Sequence, residues 1–111
     1  MAMPIYESAE DYLEAILVIQ QRKGIVHSID VAEETGFSKA SVSVAMKKLR
    51  ENGYISMDKD GSLKLLAPGK KIAERIWERN RVLTHFFISF VVEVVTAARD
   101  AHKIEHDLSD E

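Results

Sequence analysis

The sequence predicts a mainly α-helical fold in which three helices precede a small β-hairpin and further helix follows it. Three observations carry this. Apolar residues recur at helical spacing in the first segment (Tyr12, Leu13, Ile16, Leu17, Ile19) and in the third (Val42, Met46, Leu49). The runs Ile55-Ser56-Met57 and Ser62-Leu63-Lys64-Leu65 alternate about Asp58-Lys59-Asp60-Gly61, as hairpin strands about an Asp-Gly turn do. Gly24, Gly36 and Gly53 stand where each of the three helices has to stop.

In chain order, Ser8 is the expected N-cap of the first helix, and Asp11 makes an aspartate version of the capping box. This helix is expected over about residues 9–22. Ser28 is expected to cap a short second helix that reaches Thr35 and stops at Gly36. Ser38 caps the third, which Asn52-Gly53 closes. Pro68 opens a fourth helix at a position where a missing N–H costs nothing. Ile72, Ile76, Arg79 and Leu83 continue its inner stripe to an end near Phe90. An apolar linker over 86–95 then leads to a last helix over about 96–108. Helix–helix–helix–hairpin–helix is the winged-helix order, and there is no internal repeat. The expected division is a winged helix-turn-helix domain over residues 1–68, with the hairpin as its wing, and a helical region over 69–111.

At 111 residues the chain forms one compact domain or two small layers on a shared core. Its 46% hydrophobic and 30% charged residues fit a soluble globular protein. There is no cysteine, which excludes disulfides, zinc–thiolate sites and thiol chemistry and fits a cytoplasmic location. Acids at Glu7, Glu10 and Asp11 exclude a signal peptide at the N-terminus. The longest apolar run, 86–98, is interrupted by Glu93 and falls short of the roughly 20 residues that span a bilayer, so no membrane partner is expected. The net charge of −3 is unevenly spread: −5 over residues 1–37, +3 over 38–64 and −1 over 65–111. The positive block is where nucleic acid would be met, although an ordinary solvated helix face has the same composition.

Residues 31–42 have helix-turn-helix spacing. Ala32 is small where two helices cross, Gly36 sits where the turn needs positive φ, and Val42 is apolar where the second helix meets the first. The recognition helix then runs from Ser38 to Arg50, and its N-terminal residues enter the major groove first. Ser38, Lys39, Ala40, Ser43 and Val44 are placed to meet base edges. Ser38, Ser41, Lys47, Lys48 and Arg50 suit phosphates through hydroxyl, ammonium and guanidinium donors. Lys59 and Lys64 on the hairpin reach flanking phosphates. The first two turns hold no Asn, Gln or Arg, so bidentate base reading is scarce and DNA shape carries much of the specificity.

Near the other end, His102, Glu105 and His106 stand at i, i+3 and i+4 and share one helical face. Two imidazoles and a carboxylate suit Mn, Fe, Co, Ni or Zn, while a solvated helix with scattered polar residues explains the same pattern without a metal. The H-x-x-E-H spacing of residues 102–106 also matches inverted zinc proteases. Those need a third ligand and a cleft after the motif, and only five residues follow. No nucleophile stands beside a base, so the chain is read as a non-enzyme.

Several stretches together resemble the diphtheria toxin repressor family, which includes the manganese transport regulators. They are Glu10-Asp11-Tyr12-Leu13-Glu14, the helix-turn-helix, Gly69-Lys70-Lys71-Ile72-Ala73, the run 79–86 and the run 104–109, in the family's order over nearly the whole chain. The resemblance implies a metal-dependent repressor acting as a homodimer on double-stranded operator DNA and controlling metal homeostasis genes. It implies that 69–111 is a dimerisation and metal-binding region, incomplete at its C-terminus. It also implies that Asp11 and Glu14 join His102, Glu105 and His106 as ligands. That hard O/N set favours Mn(II) or Fe(II), with Zn(II), Co(II) or Ni(II) also bound in vitro. Metal would neutralise the acids, lock the DNA-binding block onto the dimer block and set two recognition helices at operator spacing.

The chain departs from the family pattern at three positions. His102 stands where the family has Glu or Cys, Asn80 where it has a ligand His, and Thr84 where one branch has a Glu. The alternative is a winged-helix regulator that ignores metal and answers to a small molecule or protein partner. A winged helix used only for protein contact is disfavoured by Lys39, Lys47, Lys48 and Arg50.

Overall fold

A computed structural model describes the backbone of residues 7–109 and the side chains of residues 8–101. The elements run α1 (Glu7–Lys23), α2 (Ser28–Thr35), α3 (Lys39–Glu51), β1 (Ile55–Met57), β2 (Leu63–Leu65) and α4 (Ala67–Ser109). The chain falls into two compact units, residues 1–78 and 79–111.

The first unit is built on the apolar stripes legible in the sequence. Tyr12, Leu13, Ile16, Leu17 and Ile19 of α1 are all buried, as are Val42, Met46 and Leu49 of α3. Val31 and Ala32 of α2, Ile55 and Leu63 of the hairpin, and Ala73 and Ile76 at the start of α4 complete this core. Each fully buried Leu or Ile contributes about 1.5–3 kcal/mol of transfer free energy. Ala32, the small residue that the helix-turn-helix spacing requires, is buried in this core.

The local signals held at most element ends. Gly36 adopts φ 75°, and its N–H donates to the Ala32 carbonyl at 2.9 Å, closing α2 in the left-handed conformation that glycine reaches without strain. Ser38 caps α3, its hydroxyl oxygen accepting from the Ser41 N–H at 3.1 Å. The hairpin pairs antiparallel in the register Ile55↔Leu65 and Met57↔Leu63. Its turn closes where the Gly61 N–H donates to the Asp58 carbonyl at 2.9 Å. The hydroxyl of Ser62 (2.8 Å) and its N–H (3.0 Å) both donate to Asp60 and hold that carboxyl below the ordinary range.

Two caps differ from expectation. Helix α1 already includes Glu7, so Ser8 lies inside it and is not the cap. The N-cap of α2 is His27, one residue before Ser28. The reason is Asp30, whose carboxylate accepts from the His27 N–H at 2.8 Å and from Lys23 Nζ at 2.8 Å. The Lys23 ammonium, then the His27 N–H, lower the Asp30 carboxyl below its usual range. A depressed folded-state pKa means stability present above the unfolded value and lost as pH falls through the folded one. Asp30→Asn is therefore expected to cost about 1 kcal/mol at neutral pH. Urea midpoints of the two proteins should converge once the pH drops well below about 4. A gap that persists at acid pH would point to a cause other than the charge.

The larger correction concerns the C-terminal third. The two helices expected on either side of an apolar linker over 86–95 are one continuous helix, α4. No Gly or Pro stands between Gly69 and Ser109, and β-branched valines lower helix propensity by only a few tenths of a kcal/mol each. Nothing in the run can therefore end a helix, and high apolarity alone is not a stop signal. Continuity also revises the membrane estimate. Within 67–101 the helix carries an 18-residue window long and apolar enough, by length and composition alone, to cross a bilayer. The inner stripe is buried only as far as Ile76; Arg79 and Leu83 are exposed.

Candidate nucleic-acid interface and metal-ligand positions

Helix α3 divides sharply into two faces. Val42, Met46 and Leu49 are buried, and every residue named from the sequence as a DNA contact on this helix is exposed: Ser38, Lys39, Ala40, Ser41, Ser43, Val44, Lys47, Lys48 and Arg50. The period of 3.6 forces this, because the residues between the core positions have no other face to occupy. The first turn of α3 holds no acid, so its positive dipole end and free N–H groups stay available to an anion. The last turn holds Lys48 and Arg50.

Three contacts shape this surface in ways the sequence did not signal. The Ser38 hydroxyl donates to the Ser41 hydroxyl at 2.9 Å. That leaves the Ser41 O–H as the outward donor of the pair, with Ser38 committed to the cap. Arg50 reaches the Met57 sulfur at 3.6 Å and so ties the end of α3 to the wing. Lys64 pairs with Asp58 across the hairpin at 3.1 Å, and Lys59 stands exposed at the tip. The predicted wing contact of Lys64 therefore competes with an exposed ion pair, an interaction of about 0–1 kcal/mol that a phosphate can displace.

Asp11 is exposed and Glu14 half-buried on α1. Together with Ala15, Val18, Glu34, Thr35 and Phe37 they line a concavity of about 250 Å³. Glu34 was not foreseen. It lies 20 residues from Glu14 in the chain and arrives through the packing of α2 on α1, where Arg22 also holds it at 3.2 Å. Phe37 forms one wall and meets Tyr12 edge-to-face, with ring centroids 5.4 Å apart and planes at 68°. Burial raises the Tyr12 phenol above its ordinary range. Two carboxylates three residues apart in one concavity are donors of the type a hard divalent cation takes. His102, Glu105 and His106 fall within α4, outside the residues whose side chains are described. Among the described residues no three His, Asp or Glu side chains converge as a metal-binding group. Asn80 is half-buried on α4.

The N-terminal DNA-binding domain of the iron-dependent repressors matches residues 5–63 of this sequence, the span that carries α1 to the start of β2. The chain belongs to the iron-dependent repressor family. That family is one of DNA-binding transcriptional repressors and not of enzymes. Its similarity to the HTH-type transcriptional regulator MntR of Geobacillus kaustophilus (strain HTA426) is 33% identity over 102 residues, covering 92% of this chain and 72% of the relative. The MntR of Geobacillus thermodenitrificans (strain NG80-2) matches with the same identity and coverage. Among solved structures, T. acidophilum IdeR superimposes with a TM-score of 0.57 at 23% identity over 66% of this chain and 33% of that one, so this chain spans about a third of it. A MarR family protein from Bacillus stearothermophilus gives a TM-score of 0.60 at 20% identity over 96% of this chain and 77% of that one. These two likenesses show the winged-helix fold and nothing finer.

Proposed function

We propose that this iron-dependent repressor family member is a cytoplasmic, homodimeric transcriptional repressor that binds double-stranded operator DNA when loaded with Mn(II) or Fe(II) and controls metal homeostasis genes. The observation that carries the DNA half is the exposed basic face of α3, capped by Ser38 and followed directly by a wing. On this reading Ser38, Lys39, Ala40, Ser43 and Val44 face base edges. Ser41, Lys47, Lys48, Arg50, Lys59 and Lys64 face phosphates, with Ser38 acting through the cap. The test is binding to promoter DNA with and without Mn(II), Fe(II) and Zn(II). Binding that needs a divalent metal supports the reading, and binding that ignores all three sinks its regulatory half.

The proposed ligands are Asp11, Glu14, His102, Glu105 and His106. Support comes from the family resemblance and, for the first two, from their common concavity on α1. A bound cation would supply positive charge that offsets the carboxylate cluster. The chain's own part is to hold Asp11 and Glu14 one turn apart with Tyr12 anchored in the core between them. His106→Ala is expected to abolish Mn(II)-dependent operator binding and to lower Mn(II) uptake in equilibrium dialysis, with the far-ultraviolet circular dichroism unchanged. Groups that merely hydrogen-bond a metal ligand commonly cost about 10–100-fold in metal affinity when lost, and removing a ligand itself should cost at least that. Metal-dependent DNA binding by the variant would remove His106 from the ligand set.

A second reading has one specific observation in its favour: Asn80 and Thr84 stand where the family pattern places ligands. An amide oxygen binds these metals weakly, so a regulator that ignores metal and answers to a small molecule or protein would fit those two positions. The same DNA-binding experiment separates the readings.

A further inference from the structure

Helix α3 carries an apolar spot in the middle of its basic face. Val44 is 55% exposed, and Ala40, four residues earlier, is exposed as well. At about 100° per residue, Val44 lies roughly 140–160° round the helix from the buried Val42, Met46 and Leu49, so it points away from the core. A helical side chain leans toward the N-terminus over the residue four before it, which brings the Val44 isopropyl group above the Ala40 methyl. The other surface neighbours of Val44, three and four residues away, are Ser41, Lys47 and Lys48. The first acid in this helix is Glu51, at its end. Valine gains nothing from the helix itself, being a weaker helix former than alanine, and the core does not bury it.

We propose that Val44 reads the 5-methyl group of a thymine in the major groove of the operator, with the small Ala40 keeping the approach clear. The proposal rests on the DNA-binding reading above and names the base feature that this face selects. Hydrogen-bonding capacity narrows the occupant. Neither side chain can donate or accept, so neither can read a polar base edge. The thymine methyl is the apolar group that the major groove displays. Charge points the same way. A protein docking on Val44 would have to strip water from Lys47 and Lys48 beside it, whereas a duplex offers each of them a phosphate. Polar readers close by are also few. No Asn, Gln or Arg stands between positions 38 and 45, and the Ser38 hydroxyl is spent on the Ser41 N–H and the Ser41 hydroxyl. Discrimination by these two turns therefore falls heavily on apolar contact.

Deoxyuridine tests this contact directly, since it differs from thymidine by the methyl alone and pairs identically. The probe is the duplex that the full chain binds most tightly from a random-sequence pool in the presence of Mn(II). Each of its thymines is then replaced singly by uracil. At one thymine per recognition helix the replacement should weaken binding about fourfold, the effect of one buried methyl. With Val44→Ala that same replacement should cost nothing, while replacements at other thymines act as they do on the parent. Val44→Ile should keep the discrimination. At the same position 5-methylcytosine should bind the parent better than cytosine, and Val44→Ala should bind the two equally. Circular dichroism checks that both variants keep the helix. Uracil tolerated at every thymine, or a uracil penalty unchanged in Val44→Ala, would overturn the proposal. So would an altered mass of Val44→Ala in light scattering with uracil sensitivity intact, which would give the residue to a protein contact. A chain that enriches no duplex loses the DNA-binding reading and this contact together. One that binds a duplex but is blind to uracil loses only the contact. Whether binding needs the metal is scored separately and bears on regulation alone.

Discussion

Changing Lys47 and Lys48 together to alanine is expected to weaken binding to operator and unrelated DNA alike and to flatten its salt dependence. Both ammonium groups are exposed on α3, and neither takes part in the core beneath. Each lysine that meets a phosphate releases about 0.9 of a condensed counterion, so the pair accounts for nearly two units of the log–log salt slope per recognition helix. In a dimer with both helices engaged, the slope should fall by nearly four, and affinity at moderate salt by roughly two or more orders of magnitude. The discrimination between operator and random sequence should survive, because phosphate contacts carry no base identity. Fluorescence anisotropy across a salt series measures all three quantities. An unchanged slope would remove the two lysines from the interface.

The second large effect is expected at Gly69, a buried position in the first turns of α4. A Cβ added there would run into the carbonyl oxygen of Tyr54 and crowd the Leu13 side chain. That carbonyl is already engaged, accepting from the Leu66 N–H at 3.0 Å. Backbone cannot rotate aside as a side chain can, so Gly69→Ala should cost about 3 kcal/mol, at the upper end of overpacking penalties. Against the 5–15 kcal/mol that holds a typical domain together, this is a large share. Urea unfolding should show a lowered midpoint at an unchanged slope. A midpoint within experimental error of the parent would mean that α4 can pull back from the β1 side at little cost.

The helical stripes, the hairpin and the Gly36 turn were legible because each depends on residues close in sequence. The α2 cap was misplaced by one residue for a comparable reason. Ser28 is the better intrinsic cap, but Asp30 bonds the His27 N–H and draws Lys23 to it, and that outweighs the propensity. Helix α4 was divided in two because a dense apolar run reads as a connection when no partner is visible, although it contains no residue that breaks a helix. The exposure of the α3 residues proposed to meet DNA was recoverable from periodicity alone, since exposure on α3 alternates with the core positions. The acids of α1 were not. Asp11 and Glu14 look like solvated surface until the family pattern singles them out, and Glu34 joins them only through the tertiary meeting of α1 and α2.

The hairpin is joined to more than its own two strands. The Leu63 N–H donates to the Val26 carbonyl at 2.7 Å, and Val26, in the connection between α1 and α2, bridges to Leu63. Lys59 therefore rides on a flap whose backbone is pinned at its base. If that element docks on a duplex as proposed, much of the backbone ordering cost of docking was already met when the polypeptide folded.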